Sequence, residues 1–283
     1  MSEIKLENLS YCHGKDTPYQ VKALDNINLT IPKGMITGLI GHTGSGKSTL
    51  VQMFNGILRP DSGKVLLDGE DIWEKPKKIR DVRFRVGLVM QYPEYQLFEE
   101  TIAKDIAFGP KNMGLSEDEI RGRVEEAARF AGLDIDLLQK SPFDLSGGQK
   151  RRAAIAGIIA MRPDVLVLDE PAAGLDPKGR DSIFANIVEY HEQCGNTVVI
   201  VSHSMEDMAR YCDNLIVMNE GKVWMQGDRD YVFSRSDRLT QIGLDIPQVT
   251  KLMLLLKNAG IDVDGGIYTV EQALEKMLKI YGK

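Results

Sequence analysis

The stretch Thr37-Gly38-Leu39-Ile40-Gly41-His42-Thr43-Gly44-Ser45-Gly46-Lys47-Ser48-Thr49 passes from an apolar run, through a glycine-spaced loop, into a run with helical character. The apolar part, Met35 to Ile40, lacks polar alternation, as expected of a strand buried on both faces. The loop fits the pattern G-x-x-x-x-G-K-[ST], with Gly41, Gly46, Lys47 and Ser48 in its fixed places. Glycines at this spacing let backbone N–H groups close around phosphate oxygens, and the start of the helix Ser48 to Asn55 adds a favourable dipole. In such a loop Lys47 reaches the β- and γ-phosphates of ATP, and Ser48 ligates the accompanying Mg²⁺. His42, Thr43, Gly44, Ser45 and Thr49 complete the nucleotide-binding segment.

Three more apolar runs share the character of the first: Val86 to Met90, Val165 to Leu168 and Val198 to Val201. A polar loop follows each, not a hairpin turn, which is what strand-to-helix crossovers in a parallel sheet require. Before and between them, short apolar runs at Ile4-Lys5-Leu6, Ile27 to Ile31 and Val65-Leu66-Leu67 are bounded by the turn signals Pro32-Lys33-Gly34, Asp61-Ser62-Gly63 and Asp68-Gly69. That pattern predicts antiparallel β structure. The region from about Thr101 to Lys140 is helical in pattern. It contains a Ser116/Glu119 capping box, apolar residues at Ile120, Val124, Ala127, Ala128 and Ala131, and a stop at Gly132. Two short strands, Leu215 to Met218 and Lys222 to Met225, flank a Glu220-Gly221 turn. Beyond about Ser234 the pattern changes to small amphipathic helices. The expected division is therefore residues 1–233 as one nucleotide-binding domain, with a helical subdomain at about 92–160, and residues 234–283 as a C-terminal helical appendage.

The run Val165-Leu166-Val167-Leu168 ends in Asp169-Glu170. A strand in this place sets Asp169 at the carboxyl edge of the sheet beside the phosphate loop, where it can hold the Mg²⁺ shell. Glu170, one step on, can orient or deprotonate an attacking water. Alone, two acids at a strand end are commonplace; paired with the phosphate loop they are specific. A third motif, Leu145-Ser146-Gly147-Gly148-Gln149, opens a helix with a hydroxyl and free backbone donors at its positive end.

At this motif the sequence resembles the ABC ATPase family, whose signature reads LSGGQ. The resemblance covers roughly Ile4 to Gly227. It implies an α/β fold: a P-loop core of ABC type with an antiparallel β subdomain, a helical signature subdomain and a small C-terminal helical appendage. It also implies that Ser146, Gly147, Gly148 and Gln149 complete the ATP site of a partner subunit, not their own. Three further matches follow in family order. Gln91 corresponds to the glutamine that contacts Mg²⁺ and water, so the metal set becomes Ser48, Gln91 and Asp169. Asp176, in Gly174-Leu175-Asp176, corresponds to the loop that bridges the dimer, and His203 to the switch histidine at the γ-phosphate. The implied catalytic set is Glu170, His203 and Gln91. The family's aromatic residue that stacks on adenine has two counterparts here, His13 and Tyr11.

Within that family, MQYPEYQLFEETIAKDIAFGPKNMGL, residues 90–115, and EPAAGLDPKGR, residues 170–180, resemble the ATP-binding subunits of energy-coupling factor transporters. That resemblance implies ATP-driven closure and opening of a pair of ATPases that powers uptake of vitamins or transition-metal ions. The pair, identical or mixed, sits on the cytoplasmic face of a prokaryotic membrane with an integral T-component and a substrate-binding S-component. Tyr92, Tyr95, Leu97 and Phe98, large apolar residues among acids and all expected to be exposed, suit a hydrophobic anchor site for the T-component.

Composition limits the alternatives. The chain has 283 residues and a net charge of −6, so a nucleic-acid partner gains no general electrostatic attraction. No apolar run approaches the length that crosses a bilayer, and the opening MSEIKLENLS lacks the core of a secretion signal, so a membrane role is expected to go through a partner. Cys12, Cys194 and Cys212 show neither metal spacing nor a disulfide framework, which favours a reducing cytoplasm. The competing readings are the ATPase of another ABC transporter and a soluble, non-transport ABC ATPase. The second class usually carries tandem cassettes or a long coiled-coil insertion, and neither is present here.

Overall fold

The computed structural model describes residues 2–261, 263 and 266–282. The chain begins with β1 (Ile4–His13), β2 (Val21–Ile31), β3 (Ile36–Ile40), α1 (Lys47–Phe54), β4 (Ser62–Leu67) and β5 (Glu70–Asp71). It continues through α2 (Ile79–Arg85), β6 (Val86–Val89), α3 (Ile102–Asn112), α4 (Glu117–Phe130), α5 (Gly147–Ile159), β7 (Val165–Asp169), α6 (Pro177–Cys194), β8 (Thr197–Val201) and α7 (Met205–Tyr211). The last elements are β9 (Asn214–Asn219), β10 (Lys222–Asp228), α8 (Arg229–Phe233), α9 (Ser236–Gln241), α10 (Gln248–Asn258) and α11 (Val270–Tyr281).

These strands form two sheets. An antiparallel sheet runs β2-β1-β4-β5, and a six-stranded sheet runs β10-β9-β3-β8-β7-β6, parallel except for β10. The larger sheet is covered on both faces, which is why its strands read as unbroken apolar runs. Leu39, Val165, Val167, Val199 and Val201 face the antiparallel sheet and α1, and share a core with Ile4, Leu6, Leu29 and Phe54. Their neighbours Ile40, Leu166, Leu168, Val198 and Ile200 face the opposite way, into a core closed by Ile106, Ala128, Ile155 and Phe184 from α3 to α6. With a side-chain period of two, both halves of each strand must therefore be apolar.

Local chemistry sets the helix ends. Ser116 caps α4 in a complete capping box with Glu119, and Gly132, at φ 65, turns the chain away after it. Ser146 caps α5 through a second box with Gln149. In the C-terminal region, Phe233, Leu239, Leu244, Ile246 and Tyr268 join the main core, whereas Met253, Val263, Ile267 and Ala273 make a small cluster of their own under α10 and α11. No helix of the described residues is long and apolar enough to cross a membrane.

Candidate functional site

Parallel strands deliver their following loops to one edge, so β3, β8, β7 and β6 bring four loops together. A cleft of about 870 Å³ opens there, lined by Gly41 to Gly44, Gly46 to Thr49, Gln91, Asp169, Glu170 and His203. Ser45 alone of that loop faces inward: it is fully buried, and a side chain on Gly41 would collide with its hydroxyl and with the Met218 carbonyl. The loop is tied down at His42, whose Nε2 lies 2.8 Å from Asn219 Oδ1.

Lys47 Nζ donates to the carbonyls of Gly41 and His42 at 2.7 and 3.0 Å. Burial lowers its pKa, while the nearby Glu170 and Asp169 charges act to raise it. Asp169 is the converse. Burial raises its pKa above the ordinary aspartate range, a hydrogen bond from Ser48 opposes this, and the adjacent Glu170 charge adds to the rise. Glu170 leaves the strand in the left-handed region, at φ 52, and its Oε1 lies 2.9 Å from His203 Nδ1. The two acids thus have different partners, Glu170 the His203 imidazole and Asp169 the Ser48 hydroxyl. The His203 side chain is exposed and that of Glu170 largely buried, so the contact leaves the imidazole free on its outer side.

The two aromatic residues near the N-terminus separate clearly. His13 lines the cleft beside Val21, Lys22 and Ala23, with Nε2 3.1 Å from Thr49 Oγ1. Tyr11 is set back, packing against the inner core and meeting the His13 ring edge-on at 5.0 Å. Ser146 to Gln149 lie outside the cleft, at the start of α5, with Ser146 and the two glycines wholly or partly exposed. Asp176 caps α6 by accepting from Gly179 N at 2.7 Å.

Several contributors went unforeseen. Gly243, Leu244 and Asp245 form part of the cleft wall next to Met205, which no local motif announces. Arg180 grips Asp207 at 2.8 and 2.9 Å and also donates to Ser204, fixing the turn that follows His203. One expectation needs correcting: Tyr92, Tyr95 and Phe98 are exposed, but Leu97 is half-buried and packs against the main core. Beside that segment lies an apolar groove of about 320 Å³, between Phe84, Leu97, Phe98, Phe108, Ile158 and Met161. The Phe98 and Phe108 rings meet edge-on there at 5.0 Å.

A phosphate loop after β3, a histidine after the adjacent β8 and two acids at the end of β7, one strand further on, together define a P-loop nucleotide hydrolase. Comparison with known proteins sharpens this. Residues 24–173 match the family model described as ABC transporter. The chain is 53% identical over 279 residues to the energy-coupling factor transporter ATP-binding protein EcfA2 of Clostridium tetani, covering 98% of this chain and 97% of that protein. It resembles the structure of cbiO1 from Clostridium perfringens, described as part of the ABC transporter complex cbiONQ, with a TM-score of 0.75, 42% identity and coverage of 89% of this chain and 98% of that one. It also resembles the dimeric ATP-binding cassette MJ0796 in a post-hydrolysis state bound to ADP and Pi, with a TM-score of 0.72, 28% identity and coverage of 80% and 98%. The chain belongs to the ABC transporter ATPase family and, within it, to the energy-coupling factor ATP-binding proteins.

Proposed function

We propose that this chain is the ATP-hydrolysing subunit of an energy-coupling factor importer and works as half of a clamp. Its cleft receives the triphosphate: backbone N–H groups of Gly44 to Lys47 surround the phosphates, Lys47 neutralises the β- and γ-oxygens, and His13 stacks on the base. Ser48, Gln91 and Asp169 offer a hydroxyl, an amide oxygen and one carboxylate, a hard-oxygen set that suits Mg²⁺ held jointly with substrate phosphates. Among the described residues no cluster of three His, Cys, Asp or Glu forms a self-sufficient metal cage. When bound, Mg²⁺ would draw negative charge from the phosphate oxygens. Glu170 accepts a proton from the attacking water, and His203 orients that carboxylate while its outer nitrogen faces the γ-phosphate.

The observation that carries the clamp is that Ser146 to Gln149 stand clear of the cleft of their own chain while keeping a helix N-terminus exposed. Set across a partner's γ-phosphate, the same turn supplies donors at the positive end of α5, and Asp176 lies on the facing loop. Closing two such chains over ATP, and parting them after hydrolysis, is then the stroke. The apolar groove beside Phe98 suits the integral T-component, which with an S-component would place the pair on the cytoplasmic face of the membrane. Cargo, vitamin or transition-metal ion, would be chosen by the S-component. The partner ATPase can be a copy or a relative.

Phosphate release tests this directly. The chain purified with its membrane partners should turn over ATP, and the unpaired chain at equal concentration should be slower by at least tenfold. Full-rate turnover by a species shown to be monomeric by light scattering would remove the clamp.

A further inference from the structure

Arg151 is an arginine at 3% relative exposure in the middle of the helical layer. A guanidinium is costly to bury and persists only where its donors are matched. Here Nε and Nη2 hold the two carboxylate oxygens of Glu94 at 3.0 and 2.7 Å, and Nη1 donates to the backbone carbonyl of Ala173. Burial pushes the Glu94 carboxyl upward, but the hydrogen bonding and charge of Arg151, together with a bond from its own backbone, leave it below its ordinary range.

The partners of this guanidinium belong to two different loops. Glu94 lies just past Gln91, on the exit from β6, and Ala173 just past Glu170, on the exit from β7. Those strands are parallel neighbours, with Val89 opposite Leu168. Each exit turns on a non-glycine residue in the left-handed region, Tyr92 at φ 55 and Glu170 at φ 52. Such a backbone persists only where its surroundings hold it. A planar fork can satisfy a carboxylate on one side and a carbonyl on the other, which a lysine cannot do with the same geometry. The side chain itself belongs to α5, the helix opened by the signature turn.

We infer that Arg151 is a positioning residue for hydrolysis: it locks the exit loops of β6 and β7 to each other and to the signature helix, and so holds Gln91 and Glu170 in one working geometry. This deepens the proposed function and rests on the roles given there to Gln91 and Glu170. It also gives the apolar groove a mechanical route inward. The Tyr92-to-Phe98 segment borders that groove, so a partner that moves it moves Glu94, and through Arg151 the loop after Glu170.

The test compares R151K, R151M, E94Q and the E94Q/R151M double variant, each purified in the assembled transporter complex. Thermal midpoint, ATP KM and kcat of phosphate release are measured for each. The expected result is a KM within about twofold of the parent, with kcat lowered roughly ten- to a hundredfold in E94Q and R151M. R151K should fall between, because it keeps the charge and loses the fork. The double variant should be no slower than R151M by more than about twofold, since both substitutions break one lock. Unchanged kcat in E94Q and R151M would overturn the inference, as would losses that multiply in the double variant or that merely track the loss of folded protein. Should R151M not fold, E94Q and R151K decide the matter. Parent turnover is read first: its absence refutes the proposed function and this inference with it, whereas parent turnover left intact by E94Q refutes this inference alone.

Discussion

Replacing Gly46 by alanine puts the geometry of the phosphate loop under direct strain. Gly46 precedes Lys47 with φ 101 and ψ 2. A Cβ there would stand 2.6 Å from the Ala23 carbonyl oxygen and 3.1 Å from Leu24 Cδ2. The leucine methyl can rotate away, but the carbonyl cannot yield freely. Its neighbour Asp25 donates to Gly221 O at 2.8 Å, and Gly221 in turn donates to Ser45 O at 3.1 Å, which stitches three segments together. Restoring ordinary contact at 3.4 Å requires about 0.8 Å of relative movement. The left-handed backbone adds about 1–2 kcal/mol for an L-residue, and forced overpacking a further ~1–3 kcal/mol. At roughly 2–4 °C per kcal/mol for a chain of this size class, the thermal midpoint should fall by about 4–20 °C. A loop displaced by most of an ångström should lose on the order of a hundredfold in nucleotide affinity. Gly44→Ala is the internal control: its φ is 81, but nothing lies within 4 Å of the added Cβ, so only the backbone cost applies. Titration of each variant with a fluorescent ATP analogue, alongside differential scanning fluorimetry, separates the two. The collision argument is refuted if Gly46→Ala binds and melts like Gly44→Ala.

Three further outcomes are expected. Glu170→Gln should lower kcat in the assembled complex by roughly a thousandfold, about 4 kcal/mol in barrier, while ATP still binds and holds the pair closed; gel filtration with ATP and Mg²⁺ would show this, and turnover at the parent rate would take Glu170 out of the reaction. Asp169→Asn should raise the thermal midpoint at neutral pH while removing the Mg²⁺-dependence of ATP binding. Burial raises the folded-state pKa of Asp169, so its favourable contribution is present at low pH and is lost as pH rises through that raised value; the advantage of the asparagine must therefore shrink as pH falls toward the ordinary aspartate range. Phe98→Asp should release the chain from membrane partners in a pull-down without changing ATP affinity, because the ring lies on the groove and outside the cleft.

Much of this molecule was readable one segment at a time. The phosphate loop, the Asp169-Glu170 strand end and the Ser116-Glu119 capping box are arrangements of residues adjacent in sequence, each complete within a few residues of backbone. The four buried strands were equally legible, since a sheet covered on both faces has no polar side to interrupt Val165 to Leu168 or Val198 to Val201. Less legible was Leu97, which sits among exposed aromatics but turns inward because the loop after β6 folds back over α5. The C-terminal residues Leu239 and Leu244 were equally obscure, since their apolar pattern is the same whether they join the main core or a separate one.

What the residues determined by themselves is the chemistry available: a glycine-spaced loop, a hydroxyl, an amide and carboxylates at strand ends, a histidine, and an exposed helix start at Ser146. What only tertiary structure decided is which of these meet. His13 reaches the cleft and Tyr11 does not, Gly243 to Asp245 close a wall that lies far away in sequence, and Arg151 joins Glu94 to Ala173 across two loops. The physical reason is one of range. A cap, a turn or a buried strand is fixed by forces acting over a few bonds, whereas a contact between distant segments depends on how every intervening element packs.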